Sequence, residues 1–221
     1  MAMVVGTVLL SVTSVTVAAV TLPCEGGFVP RQRDVGAQRE LLSNAVWQVL
    51  ADDGLPGLTL RAVAERAGCT TGLVLHTFPT KKALLLHARD LLYERTAVRA
   101  DGAEAASTDA FGALEAVLGQ AVDLPHGHHD ESRVWVGFLA AALADEDLAE
   151  RHRAANHSFL ARIRRLIAAY RPEWTDERLE LTTKSLVALV EGLNVLAAAD
   201  PAGYPARVQQ EALAAALSAL G

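Results

Sequence analysis

Thr70, Thr71, His76 and Thr77 crowd into one short stretch, with Gly72 and Leu75 between them and Thr59, Arg61, Lys81 and Lys82 on either side. Hydroxyls and an imidazole exchange hydrogen bonds with the edges of DNA bases, and flanking cations meet phosphates. A second candidate is His126-Gly127-His128-His129-Asp130-Glu131. Imidazoles and carboxylates this dense can bind zinc or nickel. Pro125 and Gly127 place the run in a loop, no Cys lies near it, and no i,i+4 His pair opens a helix there. It reads as a surface loop, so no metal and no cofactor is assigned. Catalysis by His126, His128, His129, His152 or His157 would need a partner that orients the imidazole. No spacing enforces one, and the chain has no nucleophile elbow or phosphate loop. No catalytic residue is assigned, and a small α-helical enzyme stands only as a remote alternative.

The element that must present Thr70 to Thr77 is a short helix joined tightly to another. Thr59 can cap a helix in which Leu60, Val63, Ala64 and Ala67 form one apolar face. Gly68 can end it in a left-handed conformation. Thr70 or Thr71 caps the next helix, Leu73, Val74 and Phe78 supply its buried side, and Pro79 stops it. Two helices across a glycine-containing turn make a helix-turn-helix, whose second member fits the DNA major groove. Lys81 and Lys82 then open another helix. Cations are unfavourable at that end of a helix dipole, and a nearby phosphate would account for them.

Over residues 36–95 the chain resembles the tetracycline-repressor (TetR) family of transcription regulators. The residues that carry the likeness are Thr59, Arg61, Val63, Ala64, Ala67, Gly68, Phe78, Thr80, Lys81 and Leu84. Leu75 departs from the pattern, since the family usually places there a tyrosine that touches phosphate. The resemblance implies an all-α fold, with a three-helix head on a helical ligand-binding and dimerisation body, about nine helices in all. It also implies a role in regulating transcription, usually as a repressor.

Composition agrees. Hydrophobic residues make up 51% and aromatics only 5%, which favours close-packed helices. The net charge of −6 is unevenly spread. Residues 31–99 hold ten Lys and Arg against seven Asp and Glu, whereas residues 100–221 hold ten against eighteen. A basic head on an acidic body suits a protein that touches phosphate at one end only. Cys24 and Cys69 make no disulfide framework, and Cys69 reads as packing in the turn.

Residues 1–22 carry no charge. They are long and apolar enough to cross a membrane but lack the basic start of a secretory signal. The expectation is an extension outside the working protein, from a start codon read too far upstream, which leaves a cytoplasmic protein. A membrane tether is the alternative, with Arg31 and Arg33 holding the head inside. Three regions follow: an extension and linker (1–35), a DNA-binding head (36–96) and a body (97–221).

Helical spacing predicts a first helix over residues 37–51, with Leu41, Leu42, Ala45, Val46, Val49 and Leu50 inward. Residues 101–107 read as a loop, and Asp109 caps the helix after it. Further helices are expected over 132–144, 147–170 and 176–199, with another from Pro205. Each head touches few base pairs, so two heads reading a palindrome require a homodimer. The last two helices are the candidates for its interface, through Leu186, Leu189, Leu193, Leu196, Leu213 and Leu217. From Val134 onward the chain is similar to the C-terminal domain of the betaine- and choline-responsive regulators within the same family, which implies that bundle but not the ligand. The family also encloses an effector pocket in its body. Phe111, Trp135, Phe138, His152, Phe159 and Tyr170 are the candidate lining residues for an unknown small molecule.

Overall fold

The structure, a computed structural model, describes residues 35–122 and 129–221, without the side chains of residues 35, 129 and 130. The apolar stretch 1–22, Arg31, Arg33 and most of the histidine-rich run therefore lie outside the described residues. Among the described residues there are nine helices and no strand. They are α1 (Val35–Gly57), α2 (Leu60–Arg66), α3 (Thr71–Thr77), α4 (Lys81–Ala106), α5 (Ala110–Val122), α6 (His129–Ala142), α7 (Glu146–Tyr170), α8 (Asp176–Ala199) and α9 (Ala206–Ser218).

Threonine sets many of the helix starts. Thr59, Thr70, Thr80 and Thr175 each accept a hydrogen bond from the amide three residues on, at 3.0–3.3 Å. A free first-turn amide is met each time, which contributes about 1 kcal/mol per cap. Asp109 serves α5 in the same way through the Gly112 amide, at 2.8 Å. Gly68 has φ 63°, the left-handed conformation that ends α2 and aims the chain into α3. Gly54, at φ 65°, kinks α1 near its end.

The helices pack around two apolar clusters. One gathers α1 to α4 around Val46, Val63, Val74, Phe78 and Leu84, and it takes in Val134 and Phe138 of α6 and Leu148 of α7. The head core thus continues into the next helices. Gly137 permits this closeness, because a Cβ there would stand 3.3 Å from that of Leu55. The other cluster joins α5, α7, α8 and α9 to the end of α4.

Three expectations are corrected. Residues 101–106 continue α4 instead of forming a loop. Ala100 and Ala103 are buried there, and Arg162 and Arg165 of α7 hold Asp101 and Glu104. Leu41 points to solvent, not into the core. Leu186, Leu193, Leu213 and Leu217 are buried within this one chain, so these four leucines belong to the core rather than to an interface, and Leu189 packs partly against the same cluster. A leucine stripe marks a buried face without saying which chain buries it. Of the six, only Leu196 is exposed, at 43%; Leu181, at 67%, shares the outer side of α8 with Ser185 and Ala188.

Candidate nucleic-acid interface and body cavity

Helix α3 is short and anchored from one side. Val74 and the Phe78 that follows the helix are buried, whereas Thr71, Gly72, Leu75 and His76 are exposed. Of the threonines read as base contacts, Thr71 presents its side chain to solvent. Thr70 spends its oxygen on the Leu73 amide, and the Thr77 hydroxyl donates back to the Leu73 carbonyl at 3.4 Å. Thr59 likewise works as a cap and keeps only its O–H to offer. The hydrophobic Leu75 lies on the same outer face.

The flanking cations separate into two kinds. Arg61 and Lys81 are exposed and form no ion pair among the described residues. Lys82 is engaged. Its Nζ pairs with Asp147 and lies 3.4 Å from Asp145, the residue that caps α7. The bond to Asp147 raises the lysine's pKa above its ordinary value, which keeps it charged. Lys82, read from the sequence as a phosphate contact, is thus tied in the structure to the start of α7.

Behind this surface α4 is fastened at several levels. His87 Nε2 lies 2.9 Å from the Ser43 hydroxyl of α1, and its ring sits 4.8 Å from Phe78. Burial, with a smaller push from Arg39, lowers the His87 pKa. Asp90 pairs with Arg151 of α7, and Arg99 grips the buried Glu131 of α6 through both carboxylate oxygens. Glu131, one member of the histidine-rich run, is thereby committed to an ion pair.

A cavity of about 150 Å³ opens where α4 to α8 meet. Of the aromatic candidates, Trp135 and Phe159 line it. Phe111 and Tyr170 do not: they stack on each other, 4.9 Å apart, against the body core. Phe138 is buried in the head cluster, and His152 lies behind Trp135, at 5.8 Å, rather than on the cavity wall. The residues missed are mostly polar: Tyr93 and Thr96 on α4, Gln120 on α5, Asn156 on α7, and Glu191 and Asn194 on α8. Glu191 accepts a hydrogen bond from the Trp135 indole at 2.6 Å, and burial raises its pKa. Asn194 donates to the Ala121 carbonyl at 2.8 Å. A glutamate and an asparagine inside the apolar run LVALVEGLNVL were the signal in the sequence. Polar groups in such a run need a buried partner or a ligand.

The cavity has the makings of a small-molecule site: an apolar wall, a few fixed polar groups and contributions from five helices. The exposed helix has the makings of a groove reader. Comparison with known proteins points the same way. Residues 42–88 match the family described as bacterial regulatory proteins, tetR family, and residues 112–221 match the BetI-type transcriptional repressor, C-terminal. The HTH-type transcriptional regulator PksA of Bacillus subtilis (strain 168) is 26% identical over 181 residues, 78% of this chain and 84% of that protein. The HTH-type transcriptional regulator BetI of Stenotrophomonas maltophilia (strain R551-3) is 26% identical over 166 residues, 75% of this chain and 83% of that protein. Among solved structures, a transcriptional regulator from Rhodococcus sp. Rha1 is 30% identical with TM-score 0.70, covering 82% of this chain and 94% of that one. A putative transcriptional regulator from Saccharomonospora viridis, solved in complex with choline, has TM-score 0.74 at 19% identity, covering 83% and 96%.

Proposed function

The chain belongs to the TetR family of transcriptional regulators with a helix-turn-helix DNA-binding domain, and from that premise we propose that it is a homodimeric repressor, released from a palindromic operator by a small molecule. Residues 36–96 act as the reading head and residues 97–221 as the sensing and pairing body. The work is done in the cytoplasm, where the DNA is.

The observation that carries this reading is the outer face of α3. Thr71, Gly72, Leu75 and His76 are exposed together, and the flanking cations Arg61 and Lys81 are exposed with no ion pair among the described residues. Thr71 and His76 meet base edges, Leu75 meets an apolar edge such as a thymine methyl, and Arg61 and Lys81 hold phosphates. The dimer forms through the outer face of α8. Leu181, Ser185, Ala188, Gly192 and Leu196 recur there at helical spacing, and the exposed Ala214 and Ser218 of α9 add small residues. Such a surface lets two helix pairs pack closely as a four-helix bundle. Effector entering the cavity beside Trp135 would strain the ties of α4 to α6 and α7 and so reset the spacing of the heads.

Footprinting of the promoter of the protein's own gene and of its neighbours tests the proposal. A protected palindrome that is lost on adding an effector is the expected result. Protection that ignores sequence, or none, overturns it.

A further inference from the structure

Arg89 is 2% exposed, yet among the described residues no group accepts a hydrogen bond from either terminal nitrogen of its guanidinium. The guanidinium carbon of Arg89 lies over the Trp135 ring, 4.6 Å from its centre, a cation–π contact that gives its N–H donors no acceptor. Asp90 and Glu191 lie near enough for their charges to act on Arg89, but neither takes a hydrogen bond from its terminal nitrogens: Asp90 is held by Arg151, and Glu191 accepts from the indole nitrogen of the same Trp135. Arginine does not shed its proton to escape burial, so the donors stay in the wall. Buried donors left unmet cost stability, and a protein retains them where something else supplies the acceptor.

Arg89 also borders a cleft of about 270 Å³ between α4 and α7, with Asp90, Tyr93, Arg151 and Ser158. Tyr93, Ala155 and Ser158 border the cavity beside Trp135 as well, so the two spaces adjoin. Arg151 and Asp90 pair with each other, which leaves the Arg89 guanidinium as the cleft's unmatched fork of donors, a shape that suits a carboxylate.

We propose that the effector carries a carboxylate, which docks on the Arg89 guanidinium between α4 and α7 while the apolar part of the molecule lies beside Trp135 and Phe159. This inference rests on reading the cavity beside Trp135 as the effector site. A forked guanidinium matches a carboxylate with two parallel hydrogen bonds, and a ligand held so would bridge α4 to α7.

The test is calorimetric titration and thermal melting of the full chain. The probes are straight-chain carboxylates from acetate to octanoate, the matching primary amides, choline chloride and inorganic phosphate, all at one ionic strength. The expected result is saturable binding of a carboxylate, with its amide and phosphate at least about tenfold weaker. Arg89→Met should lose that preference by about tenfold or more. Its ligand-free melting temperature should stay level or rise, because the buried unmet donors are gone. A carboxylate that binds Arg89→Met as it binds the wild type overturns the proposal. So does tighter phosphate binding, or a lower ligand-free melting temperature for Arg89→Met, which would make Arg89 a packing residue. If choline or an amide binds and carboxylates do not, the carboxylate docking falls while the cavity stands as the effector site. If no probe binds at all, both fall.

Discussion

The head and the body handle polarity in opposite ways. On the head, polar side chains stand exposed on one short helix, and the flanking cations Arg61 and Lys81 are exposed, with no ion pair among the described residues. In the body, polar side chains turn inward from five helices and are paired across long stretches of chain, as Arg99 is with Glu131 and Trp135 with Glu191. The contrast fits the partners proposed above. A duplex is large, charged and read from outside, so its contacts need only be exposed and spaced. A small molecule is surrounded, so its contacts must be desolvated and held from several sides. Helix α4 belongs to both regions: its first turn borders the head surface and its middle lines the cavity.

Phe138 offers the largest break. It is buried where α6 enters the head cluster. Phe138→Ala should cost roughly 3–5 kcal/mol, and the whole chain should melt earlier in one transition. Two separated transitions in calorimetry would show that head and body unfold independently. Next comes the reading face. His76→Ala should cost about 1–3 kcal/mol against the preferred operator and little against other DNA, with no change in melting temperature. Equal losses on all sequences would move His76 from base to phosphate.

Lys82 tests the boundary between the regions. Asp147→Asn loosens Lys82 from α7. DNA binding should then tighten and the salt slope steepen by about one phosphate contact, with little effect on melting. An unchanged slope would mean that Lys82 never reaches the duplex. The smallest effect is on pH. His87 and His152 both have lowered pKa values, each chiefly through burial. Their unfolded forms take up protons first as pH falls. The stability they contribute is therefore complete above about pH 6.5 and is lost as pH drops through their folded values. Urea unfolding across that range should show the loss, and His87→Gln should reduce it. A flat profile would contradict the burial of both rings.

The same contrast explains what could be read from the residues alone. Thr59, Gly68 and Thr70 act on neighbours three or four positions away, so the head was legible from spacing. The cavity draws Tyr93, Gln120, Glu131 and Asn194 from distant segments, and no local period points to them. Aromatic character was a poor guide: Trp135 and Phe159 line the cavity, whereas Phe111, Phe138 and Tyr170 are core. Gly102 and its acidic neighbours looked like a loop because their partners, Arg162 and Arg165, lie sixty residues away on α7.

Selection of bound duplex from a random pool by the full chain tests the central claim most directly. The account predicts enrichment of a palindrome whose half-sites lie about one helical turn apart, lost in a Thr71→Ala, His76→Ala double variant that still folds. A pool that stays random, or a palindrome that the double variant enriches equally well, would contradict it.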